Sequence, residues 1–344
     1  MNTKEKILAF LTRRRSATGG ELREHLQLTR QAMSIHLRDL LAAHKVIRTG
    51  TTKGALYSLR GRAPRARLFT RILAIQGLEE ERVWSQLDAQ MGLTRTLRPN
   101  VAAITHYAFT EMLNNAIEHS QSEHCTIRVS LTASLMNFDI RDGGIGIFHS
   151  IASKQHLPDE DAAMIELLKG KTTTMPEAHS GEGVFFTSRV ADEFLIRSHR
   201  TRIEWKRAKH DVFVSHQRFL AGTEVRFALH RSARHKLEDV FGEFAPAHYD
   251  FQFQKTHVLV KLLQLDYISR SEARRLLANL EKFREIVLDF RDVRSVGQGF
   301  ADEVFRVFAG RHPQIVIRPD NVSPTVLAMI KHVQRTATAS HHRQ

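Results

Sequence analysis

Apolar and polar positions in the first sixty residues repeat with helical spacing and then change to short β-prone runs. Two stretches carry apolar residues three or four positions apart, at Ile7, Leu8 and Leu11 and at Met33, Leu37, Leu40 and Leu41. Thr18 and Glu21 have the spacing of a capping box, which predicts a helix between these stretches. The third helix is predicted to begin at Thr29. The runs VIRT and ALYSL then predict a β-hairpin whose turn carries Lys53.

This order of three helices and a hairpin over residues 1–60 is typical of a winged helix-turn-helix, a DNA-binding fold. The polar face of the third predicted helix carries Arg30, Gln31, Ser34 and Arg38. Arg and Gln side chains can form bidentate hydrogen bonds with guanine and adenine edges in the major groove. Arg48 and Lys53 are predicted to contact phosphates. A winged domain that docks another protein or forms a dimer is the alternative interpretation.

Residues 61–97 are predicted to connect this domain to the rest of the chain. The segment GRAPRAR at 61–67 has the composition of a linker. Apolar residues between Leu68 and Met91 predict a helix over that whole stretch. Such a helix would either join two domains or mediate dimerisation.

Residues 98–231 contain short motifs in a fixed order. A helix is predicted from Pro99 to His119, with Glu111 and Asn115 four positions apart on one face. Two predicted strands follow this helix. The later motifs are DGGIGI at 142–147, SGEGVFF at 180–186 and GTEVRFAL at 222–229.

These motifs resemble those of the GHKL ATPases, the family of gyrase, histidine kinases and anti-sigma-factor kinases. The sequence EMLNNAIEH at 111–119 is most similar to the anti-sigma-factor serine kinases. The resemblance implies an α/β sandwich, the Bergerat fold, that binds ATP with Mg²⁺. It implies that Asn115 coordinates Mg²⁺ and that Asp142 and Thr223 recognise the adenine. The glycines that would let the backbone approach the nucleotide are Gly144, Gly146, Gly181 and Gly183.

Glu111 is the candidate catalytic residue. The resemblance implies that a Glu one helical turn before the metal-binding Asn polarises a water or a hydroxyl towards the γ-phosphate. Histidine kinases usually carry Asn at this position, so Glu111 favours hydrolysis or serine phosphorylation over histidine autophosphorylation. An exposed helix Glu without a catalytic role is the alternative.

Residues 147–180 are long for a connector and are interpreted as an ATP lid. Lys169 and Lys171, followed by threonines at 172–174, are predicted to reach phosphate oxygens when the lid closes. A solvated loop is the alternative interpretation. The glycine motif after the lid precedes a predicted helix whose first amides can face a phosphate.

Strands and helices alternate in the last hundred residues and predict a small α/β domain. Ser269 and Glu272 have the spacing of a capping box, and EIVLDF at 285–290 has the composition of a buried strand. Residues 250–335 resemble the STAS domains of anti-sigma-factor antagonists, in which a serine after that strand accepts phosphate. The position expected for that serine falls near Gly299 here, so the acceptor is missing. We interpret the domain as an interaction or sensing module, with a solely structural role as the alternative.

Charge is distributed unevenly along the 344 residues. Residues 1–67 hold 15 Lys or Arg and 4 Asp or Glu, so they account for +11 of the total net charge of +14. A basic end of this kind favours a nucleic-acid partner. Cys125 is the only cysteine, which excludes an intrachain disulfide and a cysteine zinc site. The apolar runs are too short for a membrane-spanning helix, which favours a cytoplasmic protein without a membrane partner.

The sequence therefore predicts a multidomain α+β protein with a winged helix-turn-helix, a GHKL domain and a STAS-like domain. The leading functional hypothesis is a transcriptional regulator that binds DNA under the control of ATP. One alternative is a protein serine kinase of the anti-sigma type, and another is an interaction module that holds ATP without turnover. A protein partner is expected at the C-terminal domain, and a homodimer is left open.

Overall fold

The structure of the chain is a computed structural model, which describes residues 2–14, 16–49, 55–60, 66–171, 181–250, 252–263, 266 and 268–341. The chain divides into two compact units. The first comprises Met1–Ile147 and Thr187–Leu237, and the second comprises Phe148–Phe186 and Glu238–Gln344. Within the described ranges, no helix combines the length and the hydropathy needed to cross a bilayer.

The N-terminal part of the first unit contains three helices and a small antiparallel sheet. The helices are α1 (Thr3–Arg14), α2 (Gly19–Leu26) and α3 (Arg30–Ala42). The strands are β1 (Ala17–Thr18), β2 (Val46–Thr49) and β3 (Leu56–Leu59), in the order β1-β3-β2. Ile7, Leu11, Leu22, Met33 and Leu37 are among the residues of the core. The predicted turn with Lys53 lies outside the described residues.

Two side-chain caps fix the beginnings of these helices. Thr18 Oγ1 accepts a hydrogen bond from the amide of Glu21 at 3.1 Å, while the Glu21 carboxylate accepts one from the amide of Thr18 at 2.7 Å. Thr29 Oγ1 accepts from the amide of Ala32 at 3.3 Å. Both caps satisfy amides that lack a partner within the helix, so the predicted starts of α2 and α3 are confirmed.

The rest of the first unit is a five-stranded antiparallel sheet covered by helices. The strands are β4 (Arg67–Ala74), β5 (His124–Leu131), β6 (Leu135–Asp142), β7 (Glu193–Lys206) and β8 (Asp211–His230), in the order β4-β5-β6-β8-β7. The helices are α4 (Glu80–Met91), α5 (Leu93–Thr96) and α6 (Pro99–His119). Phe138 on β6 stacks on Phe227 of β8 at 4.8 Å and meets the edge of Phe109 on α6 at 5.6 Å. This aromatic contact holds the helix against the sheet.

The predicted continuous helix from Leu68 to Met91 is wrong. Residues 67–74 form strand β4, which pairs with β5, and the helix begins only at Glu80. Apolar side chains in β4 alternate in exposure, since Phe69 is buried whereas Leu68 and Ile72 are exposed. A period of two and the hydrogen bonds to β5 outweigh the weaker helical pattern. Helix α4 instead packs on α6, where the Trp84 ring stacks on His106 at 4.7 Å.

The second unit contains a three-stranded parallel sheet and its helices. The strands are β9 (Lys255–Leu259), β10 (Glu285–Asp289) and β11 (Val316–Asp320), in the order β11-β10-β9. The helices are α7 (Ile147–Lys154), α8 (Glu160–Lys169), α9 (Gly183–Val190, whose second half belongs to the first unit), α10 (Leu237–Phe244), α11 (Arg270–Leu277), α12 (Gln298–Asp302), α13 (Ala309–Arg311) and α14 (Pro324–His341), with a π-helical segment at Glu303–Phe308. Every residue of β10 is buried, as expected for a central parallel strand. The predicted capping box at Ser269 begins α11.

Helix α8, within the predicted lid, is bound into this second unit by a buried lysine. Lys169 is fully buried, and its Nζ donates to Glu166 Oε1 at 2.5 Å and to the carbonyl of Ala278 at 2.8 Å. The latter carbonyl lies at the end of α11, where a positive charge is favoured. Asn279 Nδ2 donates to the second oxygen of Glu166 at 3.1 Å, and Thr256 Oγ1 on β9 donates to the Lys169 carbonyl at 2.6 Å. The expectation that Lys169 reaches phosphate oxygens is therefore wrong, because its ammonium is used to join α8 to α11.

Replacement of Lys169 tests this buried pair. Lys169→Met removes the ammonium that pairs with the buried Glu166 carboxylate, and we expect a loss of about 3–5 kcal/mol in unfolding free energy. Denaturant-dependent hydrogen exchange of strand β10 measures this loss. The paired change Lys169→Met with Glu166→Leu should cost less, because it removes both charges.

The matched control is the solvent-exposed ion pair between Arg82 and Glu79, whose side chains are 75% and 59% exposed. Arg82→Ala should cost less than about 1 kcal/mol. Equal losses for Lys169→Met and Arg82→Ala would contradict a structural role for the buried lysine.

Candidate functional site

Helix α6 carries the first part of the candidate site. Pro99 occupies its first turn, where the missing N–H costs no hydrogen bond, and the helix continues to His119. Glu111, Asn115 and His119 follow one another at intervals of four residues and are half-buried. This spacing places their side chains along one face, whereas Met112, Leu113 and Ala116 enter the core. Thus α6 presents a carboxylate and an amide from a face that is not sealed in the core.

Asp142 forms the centre of the second part, at the end of β6. Its side chain is buried, and its Oδ1 accepts hydrogen bonds from the amides of Gly144 at 2.9 Å and Thr223 at 3.2 Å. Burial raises the pKa of the Asp142 carboxyl, and these two N–H donors act in the opposite direction because they favour the charged form. The carboxylate therefore joins the loop after β6 to strand β8.

The loop after β6 approaches its neighbours too closely for side chains. A Cβ at Gly144 would lie 1.8 Å from the carbonyl oxygen of Ser120, at the end of α6. Gly146 has a φ of +81°, and its Cβ would lie 2.6 Å from Ser198 Oγ. Backbone contact of this kind requires glycine. The motif DGGIGI is thus a loop packed directly against the end of α6 and against β7.

Thr223 closes the same loop from strand β8. Its amide donates to Asp142, and its Oγ1 accepts a hydrogen bond from the amide of Ile147 at 2.9 Å. Four of the predicted residues, Asp142, Gly144, Gly146 and Thr223, therefore meet around one loop.

Sequence reasoning missed two residues that support this arrangement. Gly222 has a φ of +75°, and a Cβ there would lie 2.6 Å from Asp142 Oδ1, so only glycine fits before Thr223. Ser122 Oγ accepts from the amide of Gly143 at 3.1 Å. The glycine at the start of GTEVRFAL was a visible signal for the first residue. The second depends on a contact between distant parts of the chain, which no local pattern indicates.

The other predicted nucleotide-binding residues belong to the second unit. Gly181 has a φ of +69°, and Gly183 begins helix α9. Lys171 Nζ lies 5.0 Å from the centre of the Phe283 ring and donates to the carbonyl of Lys282 at 3.3 Å. Burial lowers the pKa of Lys171. The threonines at 172–174 lie outside the described residues.

The predicted DNA-contacting residues on α3 and β2 lie where the pattern places them, and Lys53 lies outside the described residues. Arg30, Gln31, Ser34 and Arg38 are exposed on α3, opposite its buried face, and Arg48 is exposed on β2. This surface is basic, with the half-exposed side chain of Ile35 among its polar residues.

The site thus consists of a buried acidic residue at a strand end, a glycine loop beside it and a helix that bears Glu and Asn. Residues 62–205 match the family model of the histidine kinase-like ATPase domain. Residues 272–327 match the family model of a STAS-like domain of unknown function. No curated protein matches the chain. The chain thus contains a histidine kinase-like ATPase domain, which supports ATP binding, and a STAS-like domain.

Adjacent glycines provide a sharp test of the loop. Gly144→Ala places a methyl group against the Ser120 carbonyl and is expected to abolish ATP binding, whereas the nearest atom to a Cβ at Gly143 is Ser122 Oγ at 3.8 Å. Gly143→Ala should therefore bind ATP within about threefold of the parent, since ordinary van der Waals contact costs little. Isothermal calorimetry with Mg·ATP measures both variants. Equal affinities of the two variants would contradict the close approach of Gly144.

Asp142→Asn separates nucleotide recognition from folding. The amide retains an oxygen for Gly144 and Thr223 but replaces the second acceptor by a donor, so ATP affinity should fall at least about tenfold, the equivalent of one charged hydrogen bond. Asp139→Asn is the control on the same strand, because that carboxylate instead pairs with Arg226 at 2.9 Å.

The same variant has a pH signature. Because the folded pKa of Asp142 is raised, its contribution to stability is present below the unfolded pKa and is lost as pH rises through the folded pKa. The stability of Asp142→Asn relative to the parent should therefore increase over this range and then level off. Thermal unfolding at a series of pH values measures the difference, and a decrease with rising pH would contradict the buried carboxyl.

Proposed function

We propose that the protein is a DNA-binding transcriptional regulator controlled by ATP. The observation that carries this proposal is the two-sided character of α3, which buries Met33 and Leu37 and exposes Arg30, Gln31 and Arg38. This helix lies in a segment with a net charge of +11, in the same chain as a histidine kinase-like ATPase domain. A basic polar helix face next to a β-hairpin has the chemistry needed to enter a DNA groove.

Two kinds of contact would contribute to DNA binding. Arg30, Gln31, Ser34 and Arg38 on α3 would contact base edges and give sequence preference. Arg48 on β2 and Lys53, which the sequence predicts to lie in the following turn, would neutralise phosphates and give affinity without sequence preference. Arg48 is exposed on β2, which supports its proposed contact with phosphates.

We propose that the ATPase domain binds ATP with Mg²⁺ through residues of helix α6 and of the three glycine-containing motifs. Asp142 would accept a hydrogen bond from the adenine amino group, with Thr223 beside it, and Asn115 would be the protein ligand of Mg²⁺. Mg²⁺ commonly takes only one or two protein ligands and completes its shell with phosphates and water. Gly144, Gly146, Gly181 and Gly183 would line the nucleotide, and Lys171 would be near its phosphates.

Glu111 is proposed as the residue that activates the attacking water. It lies one helical turn before Asn115, so a nucleophile placed beside the metal ligand would be within its reach. ATP can control DNA binding only if it binds two states of the protein with different affinity. Hydrolysis would then return the protein to the state without the triphosphate.

The experiment that tests this function measures duplex DNA binding by fluorescence anisotropy with and without Mg·ATP. We expect a change in affinity of at least about fivefold, the lower end of ordinary allosteric coupling. In Asp142→Asn the change should disappear, because nucleotide no longer binds. Equal affinities with and without Mg·ATP in the parent would end the claim of control by ATP.

A triple substitution on the exposed face of α3 tests whether this helix reads the DNA sequence. The triple substitution Arg30→Ala, Gln31→Ala and Arg38→Ala should remove the preference for a selected sequence over a random duplex, since a bidentate contact contributes about 1–3 kcal/mol of discrimination. An unchanged preference would exclude α3 as the reading helix while leaving ATP binding unaffected.

For the STAS-like domain we propose an interaction role. Residues 272–327 carry the family match. Gly299 on α12 provides no hydroxyl near the position where the STAS domains of anti-sigma-factor antagonists, which the sequence resembles, carry the serine that accepts phosphate. A protein partner would therefore be recognised without phosphorylation at that position.

A further inference from the structure

Strands β7 and β8 extend beyond the other strands of the five-stranded sheet. The pairing of β6 with β8 ends at Arg141 and Glu224, whereas β7 and β8 remain paired as far as Lys206 and Asp211. We call residues 199–220 the basic hairpin. It belongs to the five-stranded sheet rather than to the basic N-terminal segment.

The basic hairpin folds back and turns one face outward. The ladder changes register at His199, and beyond it the amide of Arg207 donates to the carbonyl of Asp192 at 2.9 Å. The Trp205 ring lies 5.2 Å from Phe194, so Trp205 and its neighbour Ile203 are buried. The opposite face of the hairpin is therefore available to solvent.

Positive charge is concentrated on this face and at the bend. The basic hairpin contains six Lys or Arg and two acidic residues, a local net charge of +4. Arg202 and Lys206 both pair with Glu204, at 3.2 and 3.0 Å. The cations furthest into solvent are Arg200, Arg207, Lys209 and Arg218, all of which are exposed.

Exposed aromatic rings lie among these cations. Phe219 is 60% exposed and stacks on the His199 ring at 5.0 Å. Phe213 is 37% exposed, and Lys209 Nζ lies 5.0 Å from its ring centre. A face that served only to keep the protein in solution would gain nothing from two exposed phenyl rings. Cations and flat apolar groups together match a sugar–phosphate backbone, which offers both negative charge and apolar sugar edges.

We propose that the basic hairpin is a second DNA-contacting surface, which binds the backbone of duplex DNA without reading its sequence. Arg200, Lys209 and Arg218 would neutralise phosphates, and the side chain of Phe219 would pack on the adjacent deoxyribose. The surface is separate from the residues proposed to read bases on α3. Its contribution adds affinity and salt dependence but no sequence preference.

The test uses the full chain and a random 30-base-pair duplex, without nucleotide. The charge-reversal variant Arg200→Glu, Lys209→Glu and Arg218→Glu should lower affinity at least about tenfold and reduce the slope of log affinity against log salt by up to about three, near one unit per lost phosphate contact. The control variant Arg284→Glu, Arg311→Glu and Lys331→Glu changes three exposed cations of the second unit and alters net charge equally. Binding by the hairpin variant equal to that of this control would overturn the proposal.

Two further measurements keep the interpretation unambiguous. The milder set Arg200→Gln, Lys209→Gln and Arg218→Gln should shift affinity in the same direction by a smaller factor, with an unfolding temperature equal to that of the parent. Tighter binding of a 30-nucleotide single strand than of the duplex would overturn the assignment to duplex DNA.

The proposal for the hairpin and the proposed reading role of α3 can be refuted independently of each other. If the hairpin variants bind like the control while the α3 variant loses sequence preference, the hairpin proposal falls and the proposed function stands. If only the hairpin variants lose affinity, the reading role of α3 falls and the hairpin proposal stands.

Discussion

The buried carboxylate of Asp142 needs hydrogen-bond donors, and this need constrains the loop after β6, the start of GTEVRFAL on β8 and the end of α6. Removal of a carboxylate from water is costly unless its oxygens find donors, and Oδ1 finds two in the amides of Gly144 and Thr223. Both amides reach it only because glycine is present at 144 and at 222. The same close approach brings the loop against Ser120, the residue that follows the helix of Glu111 and Asn115. One polar contact thus links helix, loop and strand.

Local patterns predicted the parts of this structure whose causes are local. The caps at Thr18, Thr29 and Ser269 follow from short side chains that bond to amides within three residues, and the glycine motifs follow from backbone geometry. The predicted helix at 68–74 failed because strand β4 is defined by its partner β5, fifty or more residues away. The role of Lys169 was missed for the same reason, since the carbonyl it caps lies 109 positions further along the chain.

Whole-segment charge was a useful but coarse guide. Outside the first 67 residues the net charge is only +3, so the sequence directed attention to the basic N-terminal end as the surface for nucleic acid. The fold shows how such a sum conceals local structure. Strands β7 and β8 follow one another along the chain and pair edge to edge, and the hairpin between Arg200 and Arg218 holds six Lys or Arg against only Glu204 and Asp211. Surface charge is therefore decided by strand pairing as much as by composition.

Because α8 is joined to α11 and β9, the two compact units do not correspond to two continuous stretches of the chain. The segment 148–186 lies inside the ATPase sequence but is built into the compact unit that holds the STAS-like domain. A contiguous fragment that stopped at residue 237 would keep α8 and lose the carbonyls and strand that cover it, leaving the Lys169–Glu166 pair and its apolar neighbours uncovered. Neither domain can be excised whole with a single cut, so recombination at one boundary would not transfer either of them intact to another protein.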